Sequence, residues 1–183
     1  MTRILRLTAG LVLLAALVLD FRRHAGERSL YRATALLGSA LAGSAPGTDP
    51  RRLAEAARDL AAEASAALPY DPRPPLVEGA SRLALGDSAR AEACFRESVE
   101  RAEKPEALVN LGRALLVRGR HEEARHVFVR AAWLHPVSLA TLPTSFREPA
   151  LERAEAGRAR LRSDGELSVP SVPPVTDPGA EPR

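Results

Sequence analysis

The chain has 183 residues, enough for one ordinary domain, and 45% of them are hydrophobic, which excludes wholesale disorder. Aromatic residues make up only 4%, and the Ala/Leu excess favours helices over the β-branched and aromatic residues that sandwiches and barrels use. The formal charge of +3 divides into +3 over residues 1–24, +3 over 25–162 and −3 over 163–183, so the middle is a mixed-sign surface rather than a basic patch for nucleic acid. Lys104 is the single lysine among 26 basic residues, which points to a high-GC bacterial genome. The lone Cys94 excludes an intramolecular disulfide and a Cys-rich metal site.

The chain opens on Arg3 and Arg6 and then an uncharged apolar run, Leu7 to Leu19. A signal peptide would follow such a run with a small-x-small cleavage site, but Asp20-Phe21-Arg22-Arg23-His24 follows instead. Extended from Ile4 to Phe21, the run makes roughly 27 Å of helix, close to a bilayer core if Arg6 snorkels. The sequence therefore predicts an uncleaved single-pass signal-anchor over 1–24, with a cleaved signal peptide or a buried or surface helix as the alternatives. Arg22, Arg23, Arg28 and Arg32 favour a cytoplasmic C-terminal domain, whereas the basic start favours export. Both orientations stay open.

The middle repeats. Gly79, Gly86, Ala91 and Phe95 recur 33 residues later as Gly112, Gly119, Ala124 and Phe128. Each copy reads as helix, Gly-containing turn, helix. In the second copy Pro105 opens a helix carrying Leu108, Leu111, Leu115 and Leu116. Arg118-Gly119-Arg120 breaks it, and Ala124, Val127, Phe128, Ala131 and Leu134 form the next stripe, closed by Pro136. Gly112 and Ala124 are expected to let the two helices approach, with Leu111 and Phe128 filling the space beside them.

This pattern resembles the tetratricopeptide repeat (TPR), a helical hairpin, in Leu111-Gly112, in Ala124, Phe128 and Ala131, and in Pro136. Leu108 and Leu115 replace the family's Trp and Tyr. In the first copy Glu78 precedes Gly79, Arg82 takes the Tyr position and Ser98 a small position. A degenerate earlier repeat fits Ala57, Ala61, Ala64 and Pro69, with Leu37-Gly38 as its Leu-Gly pair and Gly43 to Pro50 as an enlarged loop. Residues 51–68 predict an amphipathic helix with Leu53, Ala56, Ala57, Leu60, Ala64 and Ala67 on one side. The expected architecture is all-α: a solenoid of about three TPR-like hairpins (31–71, 72–104, 105–138) within 25–162, and a loop holding Pro143 and Pro149. A capping helix follows at 149–162, then a disordered Pro-rich tail at 163–183. Pro170-x-x-Pro173 in that tail reads first as solvated chain.

Five weaker signals carry no chemistry. His121 and His126 are five apart, about 140° round a helix, and not the i,i+4 pair that zinc needs; His135 does not complete them. Gly38-x4-Gly43-Ser44 lacks a phosphate loop's lysine and its preceding strand, and reads as a turn. Cys94 reads as a small buried residue. Glu122, Glu123, Glu152 and Glu155 read as solvated, and Trp133 as packed under the loop before the cap. No catalytic, metal or cofactor-binding residue is expected, and the chain is expected not to be an enzyme.

The resemblance implies a binding face lined by the first helix of each repeat. It assigns Ala35, Ser39 and Ala42 from the first, Arg73, Leu76, Ala80 and Leu83 from the second, and Glu106, Val109, Asn110, Arg113 and Leu116 from the third. Asn110 matches one Asn of the clamp with which some relatives hold a terminal carboxylate, but the accompanying basic pair is missing. An apolar groove with a few arginines implies a peptide partner with acidic flanks. The expected function is a membrane-anchored protein–protein adaptor or scaffold in a bacterial inner-membrane complex, with no nucleic acid or small-molecule substrate. The alternative is an accessory subunit permanently packed in an envelope assembly for polysaccharide, secretion or division.

Overall fold

The computed structural model describes residues 2–43, 47–164 and 172, and every regular element among them is helical. Seven α-helices follow in order: α1 (Thr2–Ala42), α2 (Pro50–Ala67), α3 (Arg73–Ala84), α4 (Ser88–Arg101), α5 (Pro105–Val117), α6 (His121–Leu134) and α7 (Thr144–Asp164), with a 3₁₀ segment (Pro136–Thr141) before α7. They fall into two compact units, Met1–Asp87 and Ser88–Arg183. The division lies inside the expected second repeat, so α3 belongs to the first unit and α4 to the second.

In the first unit α1 runs without interruption through the expected boundary at 24/25. No proline intervenes from Thr2 to Ala42, and Gly43 ends the helix at φ 60°, a conformation that costs glycine nothing. Its described side chains change character on the way. Leu11, Val12, Leu13, Leu14, Leu17, Val18, Leu19 and Phe21 are 49–71% exposed, whereas Gly26, Ser29, Leu30, Ala33 and Leu37 are buried. Among the described residues no helix is long and apolar enough to cross a membrane. The uncharged stretch with described side chains, residues 10–19, amounts to roughly 15 Å of helix. Arg3 and Arg6, which would open the expected anchor, lie outside the described side chains.

Asp49 caps α2 by accepting from the Arg51 N–H at 2.9 Å, and Pro50 takes the first helical position, where no N–H is needed. The buried stripe is Ala54, Ala57, Ala61 and Ala64. Ala57, Ala61 and Ala64 lie as expected. Ala56, however, is exposed, and Leu53, Leu60 and Ala67 are only half-buried, so the true face is rotated toward the alanines. Small residues are needed there because α1 comes very close: a Cβ on Gly26 would sit 2.7 Å from that of Ala67. Gly38, the expected glycine of this contact, meets nothing within 4 Å. Ser44 lies outside the described residues.

In the second unit Phe95, Leu108, Leu111, Leu115, Val127, Phe128 and Leu142 are almost fully buried. Gly112 opens onto Phe128 itself: a Cβ there would lie 2.7 Å from two ring carbons and nearer still to a third. Phe128 therefore fills the contact rather than the space beside it, and its ring meets Phe146 edge-on at 5.2 Å. The cap begins five residues before its expected start. Pro149 lies inside α7, where it forfeits one helical hydrogen bond, and the segment expected as a loop holds the 3₁₀ turn. Trp133 packs under α7 and not under a loop. A Cβ on Gly157 would lie 2.6 Å from its ring, and Arg158 stands 5.7 Å over that ring. Arg158 also donates to the carbonyls of Ala132 (2.6 Å) and Trp133 (3.0 Å), closing the C-terminus of α6. The tail lies outside the described residues beyond Asp164, apart from Val172.

The 33-residue correspondences hold position by position. Gly79 and Gly112 are buried, and Ala91, Phe95, Ala124 and Phe128 are fully buried. Gly86 and Gly119 have φ of 85° and 75°. The turns are closed by the same bonds, Gly86 N to Leu83 O and Asp87 N to Arg82 O, then Gly119 N to Leu116 O and Arg120 N to Leu115 O, all 2.9–3.0 Å.

Candidate functional site

In the first unit the exposed sides of α1 and α3 enclose a cleft of about 380 Å³, lined by Glu27, Leu30, Tyr31, Thr34, Arg73, Leu76 and Val77. Its floor is apolar. Leu30 packs in a cluster with Ala64 and Leu68, and Val77 rests on that cluster. Tyr31 stands at the edge, 76% exposed. Asp71 starts α3 by accepting from the Arg73 N–H at 2.8 Å, and its carboxylate also accepts from the Arg73 side chain. Glu27 accepts from the same guanidinium at 2.8 Å. Asp71 first, and then Glu27, hold Arg73 above its ordinary range against the opposing effect of burial. The single arginine of the cleft is thus neutralised by two carboxylates of its own unit.

Of the expected groove residues on α3, Arg73 and Leu76 line this cleft, and Ala80 and Leu83 are half-buried beyond its lining. From α1 the lining is Glu27, Leu30, Tyr31 and Thr34. Ala35 and Ala42 are exposed outside it, and the Ser39 hydroxyl donates to the Ala35 carbonyl at 3.0 Å. The contribution of α1 is set by the close contact at Gly26, about three helical turns before Gly38, and the face shifts with it. Sequence reading missed Glu27, Leu30, Tyr31 and Thr34, which share one face at i, i+3, i+4 and i+7.

The remaining expected positions lie on α5 of the second unit. Glu106 is exposed, Asn110 and Leu116 are half-buried, and Val109 is buried, so it cannot line an open groove. Arg113 donates to the Thr141 carbonyl at 2.6 Å and to the Asn110 side-chain oxygen at 3.2 Å. These bonds tie α5 to the end of the 3₁₀ segment, and the Arg113 side chain stays exposed.

The second unit also holds a charge cluster. Glu92 on α4 is 3% exposed. It accepts from Arg96 at 3.0 Å, from Arg120 at 2.8 and 2.9 Å, and from Arg118. Glu123 accepts from Arg120 at 2.5 Å and lies 3.8 Å from Arg96, so it belongs to this cluster and is not solvated as expected. Burial acts to raise the Glu92 carboxyl. The Arg96 hydrogen bond, the Arg120 charge and the Arg118 hydrogen bond outweigh it and hold Glu92 below the usual carboxylate range. With four hydrogen bonds from three guanidinium groups, this carboxylate acts as a structural knot joining α4 to the α5–α6 turn. Glu122 pairs with Arg125 at 2.9 Å, and Glu152 and Glu155 are exposed. His121, His126 and His135 are exposed, and Cys94 is buried on α4. Among the described residues no three His, Cys, Asp or Glu side chains come together as a metal site.

Comparison with protein-family models, with curated proteins and with solved structures finds no match to this chain.

Proposed function

We propose that this chain is a non-enzymatic docking protein, built of TPR-like hairpins and held at a bacterial inner membrane by the apolar first half of α1. The observation that carries the docking role is the α1–α3 cleft, where Tyr31 stands exposed above an apolar floor of Leu30, Leu76 and Val77. A large aromatic at the edge of an apolar recess is the usual composition of a binding hot spot. The 33-residue recurrence of buried Gly, Ala and Phe and of the glycine turns supports the repeat reading. The exposed Leu, Val and Phe side chains on every side of α1 before Arg22 support the anchor, because a helix apolar all round is stable when lipid or protein surrounds it.

The ligand is a peptide segment presenting apolar side chains. Acidic flanks give it no advantage here, since Arg73 is already matched by Asp71 and Glu27. The test is a photocrosslinking amino acid at Tyr31, with Tyr70, which is 90% exposed outside the cleft, as the control position. A discrete crosslinked protein at position 31 that is missing at position 70 is the expected result. No discrete product at 31, or the same products at both, would refute the docking role.

A further inference from the structure

The exposed apolar half of α1 ends in a collar of arginines. Arg22, Arg23, Arg28 and Arg32 are all exposed, and their side chains make no hydrogen bond or ion pair among the described residues. Elsewhere guanidinium groups find carboxylates readily, as at Arg73, Arg82, Arg101, Arg125 and Arg130. Two acids lie within the collar. Asp20 lies 3.4 Å from His24, and Glu27 accepts from Arg73. Arg28 and Arg32 border a recess beside α2 together with His24, Glu27, Ser29 and Glu63, and the four arginines outnumber Asp20 and Glu63, the two nearby carboxylates that no other arginine holds.

The placement gives this excess a direction. At 1.5 Å per residue, Arg22 and Arg23 begin within roughly one helical turn of Leu19, and Arg28 lies about 9 Å beyond Arg22. That is the depth over which headgroups follow hydrocarbon when the apolar half is buried in a bilayer. At about 100° per residue the four point to at least three sides of the helix, as a collar would and as a one-sided protein contact would not. From these observations we infer that the collar binds the anionic headgroups of one membrane leaflet, which fixes α2 and all that follows on the side where anionic lipid and the positive-inside rule place it, the cytoplasm. The inference rests on the anchoring reading given above.

Arginines near an anionic surface strengthen binding about 5-fold each, an effect that decays over a Debye length of about 8–10 Å. Arg22, Arg23 and Arg28 lie within that reach, so a preference of roughly 10²-fold for anionic over neutral membrane is expected. The full chain, in mild detergent, is diluted into vesicles of phosphatidylcholine alone or with about a third phosphatidylglycerol. The expected result is binding to both, tighter to the anionic vesicles, with the preference lost when all four collar arginines are changed to Gln and kept when Arg51 and Arg52 are changed instead. Equal binding to both vesicle types, or a preference that survives the four collar changes, overturns the collar. Binding to anionic vesicles alone, abolished by salt, supports the collar and overturns the apolar anchor. Binding to neither overturns both.

Discussion

Gly112 lies against the face of the Phe128 ring so closely that no Cβ fits between them. One residue without a side chain thus receives an aromatic ring of the opposite helix, and Phe128 also meets Phe146 edge-on. The hairpin of α5 and α6 depends on that pair. Gly112→Leu overpacks it and is expected to cost roughly 1–3 kcal/mol, read as a lower melting temperature. Gly38→Ala is the control. Gly38 faces open space within a helix, so alanine there is expected to stabilise by roughly 0.5–1 kcal/mol.

The positions of Leu111 and Leu115 are taken, one repeat earlier, by Glu78 and Arg82. These two departures are one feature: Arg82 donates to Glu78 at 2.9 and 2.7 Å, with both side chains mostly shielded from water. Changing Arg82 to Leu leaves Glu78 without this partner and is expected to lower stability by about 1–2 kcal/mol, whereas changing Glu78 to Leu leaves Arg82 with Asp87 at 3.7 Å and is expected to cost less. Changing both is expected to recover most of that loss, because a matched apolar pair can replace an ion pair of similar volume. Urea unfolding of the two single variants and the double variant measures the coupling, and additive losses would show that the positions are independent.

Acid should release the knot at Glu92. Its carboxyl titrates lower in the folded chain than in the unfolded one, so the stability it contributes is complete above the unfolded value, about pH 4.3, and is lost as pH falls through the lowered folded value. Glu92→Gln keeps the shape but leaves three guanidinium groups without their shared charge. A cost of roughly 3 kcal/mol at neutral pH is expected, the low end for a broken buried pair, since Arg118 and Arg120 retain some access to water. Unfolding followed from pH 7 to 3 checks the sign: the difference between wild type and Glu92→Gln should narrow below about pH 4.3.

Trp133 is the single tryptophan and reports on the cap. Arg158→Ala removes its cation–π partner and the donor to two α6 carbonyls, and is expected to cost about 1–2 kcal/mol and to shift the emission of Trp133 to longer wavelength. Arg158→Lys should fall between, because an ammonium cannot hold the same fork.

Much of the helical pattern was legible because its cues are local. Pro50 and Pro105 at first helical positions, Gly86 and Gly119 at turns, and the spacing of Ala91, Phe95, Ala124 and Phe128 all act within one or two turns of chain. The cleft was less so. Its α1 side depends on where α1 meets α2, and the two glycines available, Gly26 and Gly38, are equivalent in sequence until a partner such as Ala67 is seen. Glu92 is another case: its i,i+4 partner Arg96 is visible, but Arg118 and Arg120 arrive from 26 and 28 residues away. The cap start was misread because Pro149 marks a first turn more often than an interior, and Thr144 offered no competing signal that outweighed it.

The central claim is that the α1–α3 cleft receives a partner's apolar segment. The most direct measurement is the affinity of the protein crosslinked through Tyr31 for the wild type and for Leu76→Glu, a half-buried position that lines the cleft. The account predicts at least a tenfold weaker complex, about 1.4 kcal/mol, with unchanged circular dichroism and melting temperature. Equal affinity for the two, with the fold intact, would contradict it.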